Sequence, residues 1–349
     1  MRVLLHDNQL CERGTTTSMV DYGRVLRARG HDVEISYWSN SPANVPAIIQ
    51  QIESEFPLHP HRDPYSLPSS VSDIPSGYFI KAGQDDGLVL PSGSSLVHAV
   101  FQNYAPHGSR YAYISSWLAQ AVRAQVHGRK GRREGLPERG RVAVEAGCIN
   151  ALEFDHLDLI VDSADPQPGF RTELGIPEEA FVILRFGAPD TFDIPWARDV
   201  IIDELGRNPG CHFIGLNTNK FTEHERAHFL PMVRDAREKA SIIATANVVV
   251  TARHQGEAFG VAIAEALQLG VPTLAWQGGT DRAQTDMLDG LGGLYRGPRQ
   301  LRRMLRALSR GEDPSSPSAR QARADTFRPD VVAPRLEELL GLSSPAVRP

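Results

Sequence analysis

The stretch that decides the fold is GEAFGVAIAEALQLGVPTLAW, residues 256–276. A run of strand-forming residues, ANVVVTA at 246–252, precedes it, and the stretch itself ends in a second such run, VPTLAW at 271–276. A helix-forming run at 259–269 lies between them. The order of strand, loop, helix and strand is typical of a βαβ unit, and hence of a parallel sheet.

The loop into this helix has the chemistry of an anion site. The first amides of a helix have no partner within it, and the helix dipole adds partial positive charge there, so the turn at Phe259 and Gly260 is a candidate for binding phosphate. Two acids interrupt the otherwise apolar and small residues: Glu257 before the turn, and Glu265 a little over two turns further on. Carboxylates bind paired hydroxyls well. A ligand whose phosphate lies at the amides, and whose two hydroxyl-bearing rings each contact one of these carboxylates, would be a nucleotide-sugar.

The same alternation of strands and helices runs through the rest of the chain. Strands are predicted at 2–6, 33–37, 78–82, 95–102, 181–186 and 212–216, and helices at 15–29, 195–205 and 298–309, with a strand end and a helix within 110–127. We therefore predict two doubly wound α/β domains, in which ligands bind at the carboxyl ends of strands. The predicted domains are 1–165 and 166–325, followed by a C-terminal helix and tail at 326–349 that packs back on the first domain.

Composition bounds the partners. The chain has 349 residues and a net charge of -5, which does not favour a nucleic-acid or membrane-surface partner. We read the basic loop at 128–140 as a solvated loop. No apolar run approaches the roughly 20 residues of a membrane helix. The three cysteines have no metal or disulfide spacing, so we expect a cytoplasmic protein.

The stretch that opens this section resembles the donor-site motif of GT-B glycosyltransferases of the retaining family 4 type. The resemblance rests on Glu257, Ala258, Phe259, Gly260, Glu265, Ala266, Gly270, Val271 and Pro272, with Gly278 and Gly279 after the next strand. It implies two Rossmann-like domains facing each other across a cleft, an acceptor domain first and a nucleotide-sugar domain second. It also implies that Glu257 contacts the donor sugar, that the amides from Ala258 to Gly260 hold the diphosphate, and that Glu265 holds the ribose.

The N-terminal part resembles the same family at LCERG, residues 10–14, where the family has a glycine-rich loop. The resemblance implies that the backbone of Gly14 approaches the donor phosphates, and Arg13 adds charge. The stretch NQLCERGTTTSMVDYGRVL at 8–26, with APDTFDIP and LNTNKF, is similar to a little-studied group of glycosyltransferases from bacteria and large DNA viruses.

The family also keeps an arginine at the end of one strand, with a lysine about five residues later, and both neutralise the diphosphate. Arg185 occupies the arginine position, but no lysine follows it. Lys220 or Arg253 could supply the second charge. Arginine pairs bidentately with phosphate oxygens and stabilises the charge of a leaving group.

The resemblance further implies a histidine near the donor's reactive carbon. His107, in a loop, is the favoured candidate, and His98, within a predicted strand, is the alternative. Lys81 and Gly83 end another strand and could line the acceptor side. The acids Asp85 and Asp86 are interpreted as a turn. The family implies no metal and no cofactor other than the nucleotide-sugar co-substrate.

Together these features predict a retaining glycosyltransferase that uses a UDP- or GDP-sugar and an acceptor hydroxyl. Two alternatives stay open: a GT-B sugar epimerase, and a protein that binds a nucleotide-sugar without catalysis. A Rossmann oxidoreductase is disfavoured because no GxGxxG follows the first strand. The sugar, the base and the acceptor are not decided by the sequence.

Overall fold

The structure is a computed structural model that describes residues 1–128 and 154–342. Cys148 and all but the first residue of the predicted loop at 128–140 lie outside the described residues. The chain divides into two compact units: Met1–Ile160 together with the segment from Pro329 onward, and Val161–Arg328.

The first unit is built on a parallel sheet. Its strands are β1 Arg2–Asp7, β2 Asp32–Trp38, β3 Leu58–His61, β4 Ser76–Lys81, β5 Ser94–Ala99, β6 Arg110–Tyr113 and β7 Asp155–His156, in the order β3-β2-β1-β4-β5-β6-β7. All the paired strands run parallel. When helices cover both faces of a parallel sheet, its strands are buried on both sides. β1 fits this pattern, since all but its first residue are buried.

Helices connect these strands: α1 Gly14–Ala28, α2 Pro46–Glu53 and α3 Ser116–Gly128. The last helix of the described residues, α11 Pro329–Leu340, packs on α1, β4 and β5 of this unit. Its buried Glu337 accepts two hydrogen bonds of 2.8 Å from Arg29 and lies 3.1 Å from His31. These contacts attach the C-terminal helix to the start of the chain.

The second unit repeats the design. Its main sheet has strands β8 Phe181–Phe186, β9 Cys211–Leu216, β10 Ala227–Leu230, β11 Val248–Thr251, β13 Thr273–Trp276 and β15 Leu294–Tyr295, in the order β10-β9-β8-β11-β13-β15. A small parallel pair joins β12 Gly256–Glu257 to β14 Asp281–Arg282. The helices are α4 Phe170–Glu173, α5 Pro195–Arg207, α6 Ala236–Thr245, α7 Val261–Gln268, α8 Ala283–Met287, α9 Pro298–Ser309 and α10 Pro317–Ala324.

The predicted elements are present, with shifts of a few residues at their ends, and the structure adds others. Residues 39–76, which the sequence left unassigned, hold α2 and β3, and α6 and α10 were not predicted. The boundaries between the two units follow residues 160 and 328, whereas the predicted domains end at 165 and 325. Val161 belongs to the second unit because its amide donates to the Phe327 carbonyl, and its own carbonyl accepts from Gln268.

Candidate functional site

The strand order of the second unit places several predicted residues at one point. The order reverses between β8 and β11, which are neighbours in the sheet. Ligands of open α/β sheets bind beyond the carboxyl ends of the strands at such a reversal. Arg185 lies near the carboxyl end of β8, and Arg253 and Glu257 follow β11.

Gly256 lets two loops lie side by side after β11. It has φ +80°, and a Cβ atom there would lie 1.8 Å from the carbonyl oxygen of Asp281. Only glycine accommodates both the left-handed backbone and this approach. The two loops pair in parallel, Gly256 with Asp281 and Glu257 with Arg282. This pairing fixes the position of the Glu257 backbone.

The Glu257 side chain is paired with Arg253. Arg253 Nη1 lies 3.3 Å from Glu257 Oε2, and the Glu257 side chain is 22% exposed. Burial raises the pKa of Glu257 above its ordinary value, and the charges of Arg253 and Arg185 oppose that rise. The structure therefore brings Arg185, Arg253 and Glu257 within electrostatic reach of one another.

Gln284 fixes this arrangement and was missed by the sequence analysis. Its side chain is 1% exposed. Its Oε1 accepts from the Glu257 amide at 3.0 Å, and its Nε2 donates to the carbonyls of Trp276 at 3.0 Å and Gly278 at 3.2 Å. A single glutamine in a short helix carries no motif, so only the contacts reveal this residue.

Helix α7 begins beyond Glu257 with an open N-terminus. Ala258 and Phe259 lead to Gly260, the N-cap, which has φ +103° and, among the described residues, no side chain that caps it. Phe259 is buried against Phe327, with ring centroids 5.0 Å apart. The helix start is thus anchored by an aromatic contact, and its first amides have no side-chain cap among the described residues.

Glu265, one turn further along α7, has a partner that the sequence analysis also missed. Lys239 Nζ, from the first turn of α6, lies 2.5 Å from Glu265 Oε1. The one sequence signal for this residue is that Lys239 is one of only four lysines in the chain. Each of the two predicted donor carboxylates therefore has a cation beside it.

Arg185 is buried, and its terminal nitrogens have partners within the unit. Nη1 donates to the Asn217 carbonyl at 3.0 Å and to Thr218 Oγ1 at 2.8 Å. Nη2 donates to the Ala188 carbonyl at 2.5 Å and to Thr191 Oγ1 at 2.6 Å. Burial lowers the pKa of Arg185 to about 10. The side chain joins the loops after β8 and β9, and its charge reaches Glu257.

Lys220 lies on the loop after β9 and is the most exposed of these cations. Its side chain is 54% exposed and pairs with Glu223 on the same loop. The loop begins at Asn217, which has φ +48° and donates from Nδ2 to the Gly187 carbonyl. The loop is thus held at its base by Asn217, and the partner of Lys220 lies on the same loop.

In the first unit, Arg13 and Gly14 form the start of α1, directly after β1. Arg13 is the N-cap, and both residues are exposed. A Cβ atom at Gly14 would meet nothing within 4 Å. Beside them Asp7 is buried at the end of β1 and accepts from Thr16 Oγ1 at 2.9 Å. No requirement of the fold explains the glycine at position 14.

His107 belongs to a buried network with Lys81. Its Nδ1 donates to the Ala105 carbonyl at 2.7 Å, and its Nε2 faces Lys81 Nζ at 3.4 Å. Lys81 is 3% exposed and also donates to Asp86 Oδ1 at 2.5 Å. Burial lowers the pKa of His107. His107 is therefore a neutral histidine whose two ring nitrogens both have neighbours within the unit.

The alternative histidine, His98, is a fully satisfied core residue. Its Nε2 donates to the Leu157 carbonyl at 2.8 Å, and its Nδ1 accepts from the Tyr78 hydroxyl at 2.7 Å. Burial lowers its pKa to about 4. Asp85 and Asp86 form the turn that the sequence indicates, since each accepts from a backbone amide two residues later.

Other features of the molecule lie apart from this site. A pocket of about 380 Å³ is lined by residues 166–171 with Glu178, Ser241, Ala244 and Thr245, at the amino ends of β8 and β11. Within residues 1–128 and 154–342, no group of three or more His, Cys, Asp or Glu side chains could hold a metal ion. In the same residues, no helix is long and apolar enough to cross a membrane.

Comparison with known proteins gives likeness in structure only. No protein-family model and no curated protein matches the chain. A solved glycosyltransferase from Rickettsia africae matches with a TM-score of 0.67 at 10% identity, covering 98% of this chain and 99% of that one. HepE from Anabaena, solved in complex with UDP-glucose, matches with a TM-score of 0.64 at 14% identity, covering 98% and 99%.

A third match is the sucrose-phosphate synthase of Thermosynechococcus elongatus, with a TM-score of 0.58 at 12% identity, covering 97% of this chain and 98% of that one. The chain has the GT-B fold. The structural neighbours are GT-B glycosyltransferases, and the parallel sheets of both units agree with that fold. At these identities the likeness establishes the architecture and leaves the activity to be argued from the site.

Proposed function

We propose that this protein is a glycosyltransferase that moves a sugar from a nucleoside-diphosphate sugar to an acceptor hydroxyl. The observation that carries the proposal is the pair of carboxylates around the open N-terminus of α7. Glu257 and Glu265 lie on either side of Gly260, and each has a cation beside it. An anion-binding helix start with a hydroxyl-binding group on each side matches a sugar, a diphosphate and a ribose.

In this proposal each part of the donor has a partner in the second unit. The helix start at Gly260 receives the diphosphate, Glu257 accepts hydrogen bonds from the sugar hydroxyls, and Glu265 accepts them from the ribose. Arg253 holds Glu257, and Arg185 supplies positive charge near the leaving group while it fixes two loops. Positioning and electrostatic stabilisation are sufficient for this type of reaction.

We propose retention of the anomeric configuration by front-face displacement. The bond between the anomeric carbon and the phosphate oxygen breaks as the bond to the acceptor oxygen forms, and the acceptor's proton passes to the leaving phosphate. No metal is assigned a role. The contributions of Arg13, Gly14, His107 and Lys220 remain predictions, the first three on the proposed acceptor domain.

The first test is calorimetric binding of UDP, GDP, ADP and TDP, followed by transfer assays with the matching sugar nucleotides, with and without EDTA. We expect micromolar binding of one nucleotide and EDTA-resistant hydrolysis or transfer. NMR of the product would report the configuration. If none of the four nucleotides binds, the proposed function is wrong.

Glu257→Gln separates the catalytic role from the fold. Glutamine keeps the shape of the side chain but cannot accept hydrogen bonds with both terminal atoms. We expect turnover to fall by about 10²-fold, as for loss of a positioned group at a reaction centre, with an unchanged melting temperature. Near-normal turnover of the variant would show that Glu257 is not part of the reaction centre.

A second candidate is a protein that binds a nucleotide-sugar without transferring it. The observation that favours it is that both terminal nitrogens of Arg185 already have partners, and no lysine follows on the same loop. Donor binding without transfer and without slow hydrolysis would support this candidate over the transferase.

A further inference from the structure

Lys239 contacts the predicted ribose carboxylate although the two residues are far apart in sequence. Lys239 Nζ lies 2.5 Å from Glu265 Oε1, and the residues are separated by 26 positions. The side chains are 33% and 18% exposed, so the pair is reachable from solvent. The hydrogen bond from Lys239 goes to Oε1 of Glu265 and not to Oε2.

The pair lies at the same edge of the sheet as the rest of the candidate site. Helix α6 follows β10 and leads back to β11, so its first turn lies at the carboxyl ends of the parallel strands. Lys239 also lies over the ring of Phe186, the last residue of β8, with Nζ 5.8 Å from the ring centroid. Lys239 thus joins α6, α7 and the end of β8 at the point where the strand order reverses.

The stability of the fold does not require this contact. Partly exposed ion pairs typically contribute about 0–1 kcal/mol. The contact does restrict the side chain of Glu265, which otherwise has several rotamers. Holding a group in its bound conformation strengthens binding because less side-chain freedom is lost when the ligand arrives.

We propose that Lys239 is a positioning residue for the nucleoside of the donor: it holds Glu265 Oε1 so that Oε2 is directed to the ribose hydroxyls. This inference rests on the proposed function. In it, Lys239 acts through Glu265 and does not contact the phosphates.

The test is a double-mutant cycle on nucleotide binding. Calorimetry would compare wild type, Lys239→Met, Glu265→Gln and the double variant, with the nucleoside diphosphate that the wild type binds (UDP first) and with the matching monophosphate. We expect Lys239→Met to weaken binding by about tenfold, as for loss of a hydrogen bond to a charged group. The loss should be equal for the diphosphate and the monophosphate, and should disappear in the Glu265→Gln background.

Two controls make the outcome specific. Arg310→Met removes a cation from the exposed pair that Arg310 makes with Glu312, and should leave nucleotide affinity unchanged. Lys239→Arg keeps a donor for Glu265 and should restore much of the affinity.

Two results would overturn the inference. One is a Lys239→Met variant that binds as tightly as wild type. The other is a loss that persists without Glu265 and is larger for the diphosphate than for the monophosphate, because Lys239 would then contact the phosphates directly. Absence of nucleotide binding by the wild type would instead contradict the proposed function itself.

Discussion

The backbone amide of Glu257 donates a hydrogen bond to the side-chain oxygen of Gln284, 3.0 Å away and 27 residues later in the chain. The side-chain nitrogen of Gln284, Nε2, donates to the carbonyls of Trp276 and Gly278. One buried side chain therefore holds the Glu257 backbone and the segment from Trp276 to Gly278. Gln284 is a positioning residue for Glu257 if the proposed function is correct.

Gln284→Met should lower turnover by more than its effect on stability explains. The substitution removes the side-chain amide of Gln284 and with it the hydrogen bond that holds the Glu257 backbone. A displacement of about 1 Å at a reaction centre can lower the rate by about 10²-fold. The measurement is kcat and KM of the variant, with its melting temperature.

Gln268→Met is the matched control for this variant. Gln268 is also buried, accepting from the Ser163 amide and donating to the Val161 carbonyl, and it lies on the opposite end of α7 from Gly260. Both variants should lose similar stability, but only Gln284→Met should lose turnover. Equal loss of turnover in the two would show that the Gln284 effect is merely structural.

Gly14→Val tests whether a ligand approaches the start of α1. A Cβ atom at this position meets no atom within 4 Å, and φ is not in the left-handed region. Gly14→Ala should keep or raise stability, by up to about 1 kcal/mol, because glycine is unfavourable in helices. We expect the larger valine to reduce transfer while the melting temperature is kept. Unchanged kinetics of the Gly14→Val variant would show that Gly14 does not belong to the donor site.

Gly256→Ala should destabilise the second unit far more than Gly290→Ala. Both glycines have positive φ, +80° and +74°, so each substitution incurs the left-handed penalty of about 1–2 kcal/mol. Only at Gly256 would the new methyl group also lie 1.8 Å from the Asp281 carbonyl oxygen, whereas Gly290 has open space. Denaturant unfolding of both variants measures the difference. Equal losses would contradict the close approach of Gly256 to the Asp281 carbonyl.

Asp7 should make the first unit less stable as pH rises from about 4 to about 7. Burial raises the pKa of Asp7 to about 6, from an ordinary 3.8, against opposing hydrogen bonds from Thr16 and Thr15. The folded state therefore favours the protonated acid. Its stabilising contribution, about 3 kcal/mol at most, is present below pH 3.8 and is lost as pH passes through 6.

Asp7→Asn isolates this contribution from that of the other carboxyl groups. The melting temperature of the variant relative to wild type should rise between pH 4 and pH 7, since asparagine does not ionise. A difference that stays constant over this range would mean that Asp7 has an ordinary pKa.

Local pattern predicted much of the fold. The apolar runs of β1 and β8 and the helical periodicity of α9 are properties of short segments, so their residues indicate them directly. The edge strand β10 and the polar helix α10 lack such a pattern. Their residues gain their burial from neighbouring elements, as Arg320 of α10 does by donating to the Gly270 carbonyl.

The sequence by itself determined two parallel α/β units and the spacing that puts Glu257 and Glu265 around the start of one helix. These follow from properties that act over a few residues. Only the tertiary structure decided which side chains face those acids. Lys239 and Gln284 lie 26 and 27 positions from their partners, and their contacts depend on where α6 and α8 lie relative to residues 257–265. Backbone periodicity specifies that the elements form, whereas the meeting of distant side chains is fixed only when those elements pack.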